Sequence, residues 1–323
     1  MKKKKLNIVF MGTSLCACPF LEHIIKNEKL LAVFTAPDEH AGRHMKIQLP
    51  PVKKISLDHE CKVIQAHNLK NIEVIQSVKD LNPDLLIVIS YGYKIPSEIL
   101  EIPGLGSINI HFSLLPKYRG AAPVNWALAN GEIETGVTSF FLNDKMDSGD
   151  IICQKKININ NEDNAVTLMD KLVILGVDVL KETIELIKSG KILAKSQDLN
   201  KVTHAPKLRK KDGLINWNET NIEIVNRIRA FYPWPGSYTY IKDHDSLVLT
   251  KLFDPEIEEN GACAGKQGEI LDISREKGMQ VCCGRGLIWI GEMQLAAHKR
   301  MKPYDLYIGR KIKKGDIFVT NKY

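Results

Sequence analysis

Apolar residues in the first part of the chain fall into two kinds of run. Short, near-continuous runs, which include residues 6–13, 84–92 and 106–113, predict buried β-strands. Other runs, such as 18–27 and 71–82, carry apolar residues at helical spacing. Strands that are apolar on both faces and alternate with helices are typical of a parallel sheet covered by helices. We therefore predict an α/β domain with a mostly parallel sheet.

The pattern changes after a long helical segment at 164–190. The stretch 203–213 is polar and basic, and it predicts a linker. A predicted helix at 221–236 is followed by short β-like runs separated by glycine and aspartate. Several short strands at this spacing predict a small β-barrel. The predicted organisation is thus a first domain at 1–202, the linker, and a small barrel domain at 214–323.

Charge is distributed unevenly between these two parts. The chain of 323 residues is 44% hydrophobic and 26% charged, which is typical of a globular protein, and its formal net charge is +7. From Lys207 onward there are 20 basic and 15 acidic residues, whereas the first 206 residues hold 25 and 23. Such a basic barrel suits a nucleic-acid partner, although a solvated surface is equally compatible with the charge alone. The segment 298–315 contains seven of these basic residues: Lys299, Arg300, Lys302, Arg310, Lys311, Lys313 and Lys314.

The cysteines and the N-terminus concern the cellular compartment. Seven cysteines occur at scattered positions, 16, 18, 61, 153, 263, 282 and 283, and we expect them to be reduced thiols. The apolar run at 6–11 is too short for a signal peptide. No segment approaches the roughly 18 apolar residues of a membrane span. We therefore expect a cytoplasmic protein without a membrane partner.

Two polar side chains stand at the end of the predicted strand 106–113. Asn109 and His111 are two residues apart, so their side chains point to the same face of a strand. Asparagine offers a neutral donor, and histidine offers a donor that can be charged near neutral pH. Together they indicate a pair that stabilises an oxyanion. On residue types alone, the alternative that Asn109 and His111 only form structural hydrogen bonds at the strand end remains open.

A carboxylate is needed beside the imidazole to orient it and to accept a proton. Asp144, Asp147 and Asp150 all lie in a glycine-containing loop after the next predicted strand, and their spacing does not choose among them. The first predicted strand is followed by Gly12 alone, so the Gly-x-Gly-x-x-Gly dinucleotide motif is absent there. This argues against a nicotinamide-dependent enzyme.

Residues 108–120 and 146–151, taken together, resemble the signature of the folate-dependent formyltransferases. The family pattern is Asn-x-His-x-Ser-Leu-Leu-Pro, a glycine four residues later, and Asp-x-Gly-Asp downstream. The resemblance implies that Asn109, His111 and Asp147 are the catalytic residues. It also implies that four consecutive residues place their backbone beside the folate: Ser113, Leu114, Leu115 and Pro116.

Other segments resemble the members of this family that act on methionyl-tRNA, among them "FTAPDEHAGR", "YRGAAPVNWA" and "RAFYPWPGS". The resemblance implies transfer of the formyl group of 10-formyltetrahydrofolate to the α-amino group of methionyl initiator tRNA, without a metal. It further implies a Rossmann-like catalytic domain and a C-terminal OB-like domain that binds tRNA. We expect a monomer.

The resemblance also implies a loop at about 36–51 that inserts at the tRNA acceptor end. Arg43 matches the key arginine of this loop, whereas His44 and Met45 depart from the glycine and lysine often found there. The predicted tRNA contacts are Arg43, Lys299, Arg300, Lys302 and Arg310.

Two alternative functions remain open at this point. A sugar-nucleotide formyltransferase would share the catalytic motif and a small C-terminal barrel, but it would not need a wide basic surface. A catalytically inactive tRNA-binding protein would not need Asn109, His111 and Asp147.

Overall fold

The structure is a computed structural model, and it describes residues 5–41, 46–243, 246–259 and 261–320. The strands are β1 (Asn7–Gly12), β2 (Lys29–Phe34), β3 (Glu39–Ala41), β4 (Lys46–Gln48), β5 (Val63–Ile64), β6 (Leu85–Ile89), β7 (Ser107–His111), β8 (Arg119–Gly120), β9 (Glu134–Phe141), β10 (Ile151–Asn158), β11 (His204–Ala205), β12 (Tyr238–Asp243), β13 (Ser246–Glu258), β14 (Ile270–Ser274), β15 (Gly278–Cys282), β16 (Leu287–Leu295) and β17 (Phe318–Val319). The helices are α1 (Cys18–Asn27), α2 (Pro51–Asp58), α3 (Ile72–Leu81), α4 (Ser97–Leu100), α5 (Pro123–Ala129), α6 (Ala165–Ser189), α7 (Asn221–Ala230) and α8 (Pro303–Ile308).

A seven-stranded sheet forms the centre of the N-terminal part, with the order β10-β9-β7-β6-β1-β2-β5. Strands β7, β6, β1, β2 and β5 run parallel, and β9 pairs antiparallel with β7. Residues of β1, β2 and β6 pack with those of α3 and α4 in one buried apolar cluster. The prediction of a mostly parallel α/β domain is confirmed, because the near-continuous apolar runs are the strands that are buried on both faces.

Strand β10 was not predicted from the sequence. It lies at the edge of the sheet, and its residues alternate between partly buried and exposed positions after Cys153. Edge strands commonly carry charged side chains such as Lys155 and Lys156, which discourage pairing with another chain. A search for near-continuous apolar runs therefore misses such a strand.

The C-terminal part is built on a six-stranded antiparallel sheet with the order β14-β15-β16-β13-β12-β17. Its concave side is filled by apolar residues, and Trp217 stacks on Phe318 with ring centroids 5.5 Å apart. The Trp217 Nε1–H donates to Thr239 Oγ1, so the buried indole has a hydrogen-bond acceptor. The predicted small barrel is confirmed as this curled antiparallel sheet.

Two compact units can be distinguished by their internal contacts. The first contains residues 1–120, 134–157 and 169–205, and the second contains 121–133, 158–168 and 206–323. The division by function at 1–202, 203–213 and 214–323 stays a prediction. No helix in the described ranges is long and apolar enough to cross a membrane.

The expectation of seven reduced thiols is wrong for two of them, because Cys263 and Cys282 form a disulfide. The 19-residue separation hides this proximity in the sequence. In the fold, the Gly268 N–H donates to the Cys282 carbonyl, which brings the chain before β14 beside the end of β15. The other five cysteines are free.

Burial predicts which free cysteines react with an alkylating reagent. It raises the pKa of Cys18 and Cys153 to about 11 and that of Cys283 to about 12, so little thiolate is present at mildly alkaline pH. We expect the partly exposed Cys16 and Cys61 to be alkylated first, as measured by peptide mass spectrometry over time. Early alkylation of Cys283 would contradict its burial.

Candidate active site

Strand β7 places Asn109 and His111 at the carboxyl end of the parallel strands, inside the first unit. Asn109 lies between Val88 of β6 and Phe140 of β9, and His111 lies opposite Thr138 of β9. Ligands of open α/β sheets bind beyond this end of the strands. The position of both side chains is therefore that of a binding or catalytic site.

The side-chain amide of Asn109 is unsatisfied. It forms no hydrogen bond with any residue that the structure describes, and its Oδ1 is fully buried. A buried polar atom left without a partner costs about 1–3 kcal/mol. Because the opposite strand positions are apolar, a bound substrate is the natural partner for this amide, either as acceptor from its N–H or as donor to its oxygen.

His111 is buried, with 6% of its surface exposed, and its two ring nitrogens have different surroundings. Nε2 lies 2.9 Å from the Tyr118 carbonyl oxygen, which can only accept, so Nε2 carries the proton of this bond. Nδ1 lies 3.7 Å from Asp147 Oδ2. The backbone bond therefore fixes the ring and leaves Nδ1 as the nitrogen available for chemistry.

Of the three candidate carboxylates, the fold brings Asp147 to the imidazole. Asp147 is 9% exposed, whereas Asp144 and Asp150 are exposed. Asp147 has a φ of +50°, an unusual conformation for a non-glycine residue, and it turns the side chain inward at the loop. The Gly120 N–H donates to Asp147 Oδ2 at 2.7 Å and holds the carboxylate in place.

Gln197 supports the backbone of this loop. Its Nε2 donates to the carbonyl oxygens of Asp147 and Gly149 at 2.9 and 2.8 Å. Arg119 donates to Gln197 Oε1 from Nε and Nη2, which orients the amide. Gly149 itself must lack a side chain, because a Cβ would lie 1.7 Å from the Phe141 carbonyl oxygen. The loop conformation is thus fixed from two sides.

Gly120 has a φ of +125°, and a Cβ on it would lie 2.5 Å from the Ala205 carbonyl oxygen. A side chain here would displace the N–H that holds Asp147. Gly120, the glycine four residues after Pro116, therefore keeps the backbone N–H in the position that holds Asp147.

The segment from Ser113 to Pro116 follows β7 and is held by Thr138 and Gln154. Thr138 Oγ1 donates to the Ser113 carbonyl and accepts from the Leu115 N–H, and Gln154 Nε2 donates to the Leu115 carbonyl. Ser113 Oγ donates to the Lys117 carbonyl, so its hydroxyl is already used within the loop. Leu115 is buried, and Leu114 and Pro116 are partly exposed.

The predicted tRNA contacts that the structure describes have different surroundings, and all of them stay predictions. In the loop expected at 36–51, β3 and β4 form an antiparallel hairpin, and Arg43 lies outside the described residues. In the second unit, Arg300 is already paired with Asp254 and Glu292. Three cations form no ion pair with any described residue: Lys299, Lys302 and Arg310.

Several site residues were missed by the sequence analysis. Tyr118, Arg119 and Gly120 lie within the quoted motif but had no assigned contact, and no sequence signal points to Gln197. Tyr91 follows β6 at the same edge of the sheet, and its buried hydroxyl has no partner among the described residues. In the described part of the chain, no cluster of three or more His, Cys, Asp or Glu side chains could hold a metal ion.

Comparison with known proteins gives one consistent picture. A family model described as formyl transferase matches residues 4–184, and one described as the formyl transferase C-terminal domain matches 207–311. The methionyl-tRNA formyltransferase of Geobacter sulfurreducens is 40% identical over 311 residues, which cover 96% of this chain and 96% of that protein.

Two solved structures share the fold at low sequence identity. HypX from Aquifex aeolicus, in complex with tetrahydrofolic acid, matches with a TM-score of 0.63 at 16% identity, over 99% of this chain and 51% of HypX. This chain therefore spans about half the length of HypX. An N-formyltransferase from Helicobacter canadensis, in complex with folinic acid and dTDP-3-aminofucose, gives a TM-score of 0.65 at 20% identity, over 92% of this chain and 100% of that one.

Proposed function

The chain belongs to the formyl transferase family, and we propose that it formylates the α-amino group of methionyl initiator tRNA with 10-formyltetrahydrofolate as donor. The observation that carries the proposal is the 40% identity to a methionyl-tRNA formyltransferase over nearly the whole of both chains. The arrangement of Asn109, His111 and Asp147 supports it, because the site has the groups that acyl transfer to an amine requires.

The first half of the reaction is addition to the formyl carbon. The amine nitrogen attacks this carbon, and the electron pair of the C=O bond moves to oxygen. The side-chain N–H of Asn109, which has no acceptor among the described residues, donates to the developing oxyanion. Protonated His111 donates from Nδ1, while its Nε2–H remains bonded to the Tyr118 carbonyl. These fixed donors stabilise negative charge where it forms.

The second half of the reaction moves protons and releases the folate. The attacking nitrogen must lose a proton, and Asp147 accepts it directly or through a water molecule. The 3.7 Å between Asp147 Oδ2 and His111 Nδ1 is too long for a direct hydrogen bond, so a proton on Nδ1 is not committed to the carboxylate and is available to the formyl oxygen. The oxyanion then collapses, the bond from carbon to the folate nitrogen breaks, and the proton taken up by Asp147 passes to that nitrogen, which restores the carboxylate.

The folate is proposed to bind along the segment from Ser113 to Pro116. Leu114 and Pro116 are partly exposed there and offer apolar surface to the flat pterin ring. Two solved neighbours of the same fold were bound to folates, which supports a folate-derived donor.

The tRNA is proposed to contact the basic C-terminal surface and the loop that carries Arg43. Lys299, Lys302 and Arg310 form no ion pair with described residues, so they are free to contact phosphates. We propose that the protein acts in the cytoplasm, where translation supplies its aminoacyl-tRNA substrate. We also propose that it acts as a monomer.

A side-by-side assay tests this function against the sugar-nucleotide alternative. The purified protein is given 10-formyltetrahydrofolate with either methionyl initiator tRNA or a dTDP-linked amino sugar. We expect formylation of the tRNA and none of the sugar. Formylation of the sugar alone would assign the protein to the sugar-nucleotide formyltransferases. Binding of tRNA without any formylation would support the alternative of a catalytically inactive tRNA-binding protein.

Neutralising two unpaired lysines should change how tRNA binding responds to salt. Each phosphate contact contributes about 0.7–0.9 to the slope of log affinity against log salt, so the double variant Lys299→Gln, Lys302→Gln should flatten the slope by roughly 1.4–1.8. Lys314 is paired with Asp272, and Lys314→Gln is the matched control with a smaller expected change. Filter binding at several salt concentrations measures the slopes. Equal slopes for the parent and the double variant would show that neither lysine contacts a tRNA phosphate.

A further inference from the structure

A small cleft in the second unit has no role in the reaction described above. Its volume is about 240 Å³, below the range of about 300–1,000 Å³ found for pockets that hold drug-sized ligands. Its lining combines two rings, two guanidinium groups and polar side chains of the 158–168 segment: Tyr232, Phe253, Arg229, Arg300, Asn161 and Glu162. We refer to it as the aromatic cleft. Its size suits one small planar group.

One wall of the aromatic cleft is a layered pair of flat groups. The Arg300 guanidinium lies 4.2 Å from the centroid of the Phe253 ring. Asp254 and Glu292 hold this guanidinium by ion pairs, so its plane is fixed on the ring. The Tyr232 ring meets Phe253 edge to face at 6.5 Å. Such fixed aromatic and guanidinium planes are the surfaces on which proteins stack unpaired bases.

Arg229 supplies an unused donor beside this wall. Its Nη1 donates to the Asn160, Asn161 and Asp163 carbonyls, and its Nη2 donates to Asn226 Oδ1. Its Nε–H is buried and has no acceptor among the described residues. A buried guanidinium N–H without an acceptor lowers the stability of the fold, and an acceptor atom on a ligand would remove this free-energy penalty.

The charge of the aromatic cleft argues against a phosphate ligand. Arg229 and Arg300 are offset by Glu162 and Asp254 in the lining, and Glu292 lies behind Arg300. A phosphate would therefore meet carboxylates rather than a net positive site. The side-chain amide of Asn161 forms no hydrogen bond with described residues and offers both a donor and an acceptor. A neutral flat group with polar edges fits this surface better.

We infer that the aromatic cleft binds one unpaired nucleobase of the tRNA, stacked on the Arg300 guanidinium that lies over Phe253 and bordered by the Tyr232 ring, with its polar edge towards Arg229 Nε and Asn161. This inference rests on the proposed function, since it requires tRNA as the substrate. It assigns Arg300 to base stacking rather than to a phosphate, and it places a specific contact within the basic unit. Lys299 and Lys302 provide the attraction to tRNA phosphates, which does not depend on base sequence.

Two pairs of matched variants test the stacking. Phe253→Leu and Tyr232→Leu keep apolar volume but lose the ring, whereas Phe253→Tyr and Tyr232→Phe keep the ring. Because stacking of one base is worth about 1–3 kcal/mol, we expect each leucine variant to bind tRNA roughly 5- to 150-fold more weakly. None of the four changes alters charge, so the salt slope should stay that of the parent. The ring-retaining variants should bind like the parent.

A second measurement uses the unmodified protein, so it does not depend on the folding of any variant. Short-wavelength ultraviolet light crosslinks aromatic side chains to bases that touch them. We expect a nucleotide attached to a peptide that contains Tyr232 or Phe253. Crosslinks confined to other peptides, or leucine variants that bind tRNA as tightly as the parent, would overturn the inference. If the parent itself failed to formylate methionyl-tRNA, the proposed function would fail first, and the two failures are therefore distinguishable.

Discussion

Replacement of His111 by alanine is expected to lower the turnover number by about 10²–10³, the usual cost of removing one oxyanion donor. The change removes Nδ1, the ring nitrogen that remains available after Nε2 has bonded to the Tyr118 carbonyl. Folate affinity should change little, because the segment from Ser113 to Pro116 is held by Thr138 and Gln154 and not by His111. Steady-state formylation kinetics and a folate-binding titration measure the two effects separately.

Two amide variants separate the roles of the two ring nitrogens. In His111→Asn an amide group can lie near the position of Nδ1, so part of the oxyanion stabilisation should remain. In His111→Gln the amide reaches the position of Nε2 and can donate to the Tyr118 carbonyl, but it supplies nothing at Nδ1. We expect the asparagine variant to be the faster of the two. Turnover of the alanine variant within a few fold of the parent would remove His111 from the catalytic residues.

The fold could be predicted from the sequence where burial leaves a simple pattern. Strands β1, β6 and β7 are buried on both faces, and their apolar runs are correspondingly continuous. Helices α1 and α3 begin and end within a few residues of the predicted segments. Strand β10 and the short helix α8 were missed, because an edge strand and a helix of six residues leave too little periodicity.

The site could be predicted only in part, because some of its residues are set by tertiary contacts. Asn109 and His111 are fixed by strand alternation, which is local. The choice of Asp147 over Asp144 depends on burial and on the Gly120 N–H, 27 residues away in the chain. Gln197 reaches the loop from 50 residues away and belongs to no motif. No spacing rule can supply such contacts.

Charge counting had a similar limit in the C-terminal unit. Lys299, Arg300 and Lys302 look alike in the sequence, but Arg300 is held by Asp254 and Glu292. Both carboxylates come from strands β13 and β16, which pair antiparallel. The sequence therefore locates a basic surface, whereas the fold determines which of its cations are unpaired among the described residues and which, like Arg300, are held by carboxylates over an aromatic ring.

Replacement of Asp147 by asparagine is expected to lower turnover by about 10²–10⁴, the range for loss of a general base. The amide oxygen can still accept the Gly120 N–H, and Gln197 still holds the backbone of the loop, so the local structure should persist. What is lost is the negative charge that faces His111 Nδ1 and the group that we propose takes the proton from the attacking amine. The turnover number should therefore fall far more than the affinity for tRNA or folate.

The neighbouring carboxylates provide matched controls for this change. Asp144→Asn and Asp150→Asn remove the same charge from the same loop, but both side chains are exposed and neither is paired with His111 in the structure. We expect both variants to turn over close to the parent rate, with an unchanged thermal unfolding midpoint for all three proteins. A formylation assay in which Asp144→Asn or Asp150→Asn is the severe variant, and Asp147→Asn the mild one, would show that the burial of Asp147 is structural and that the proton acceptor lies elsewhere.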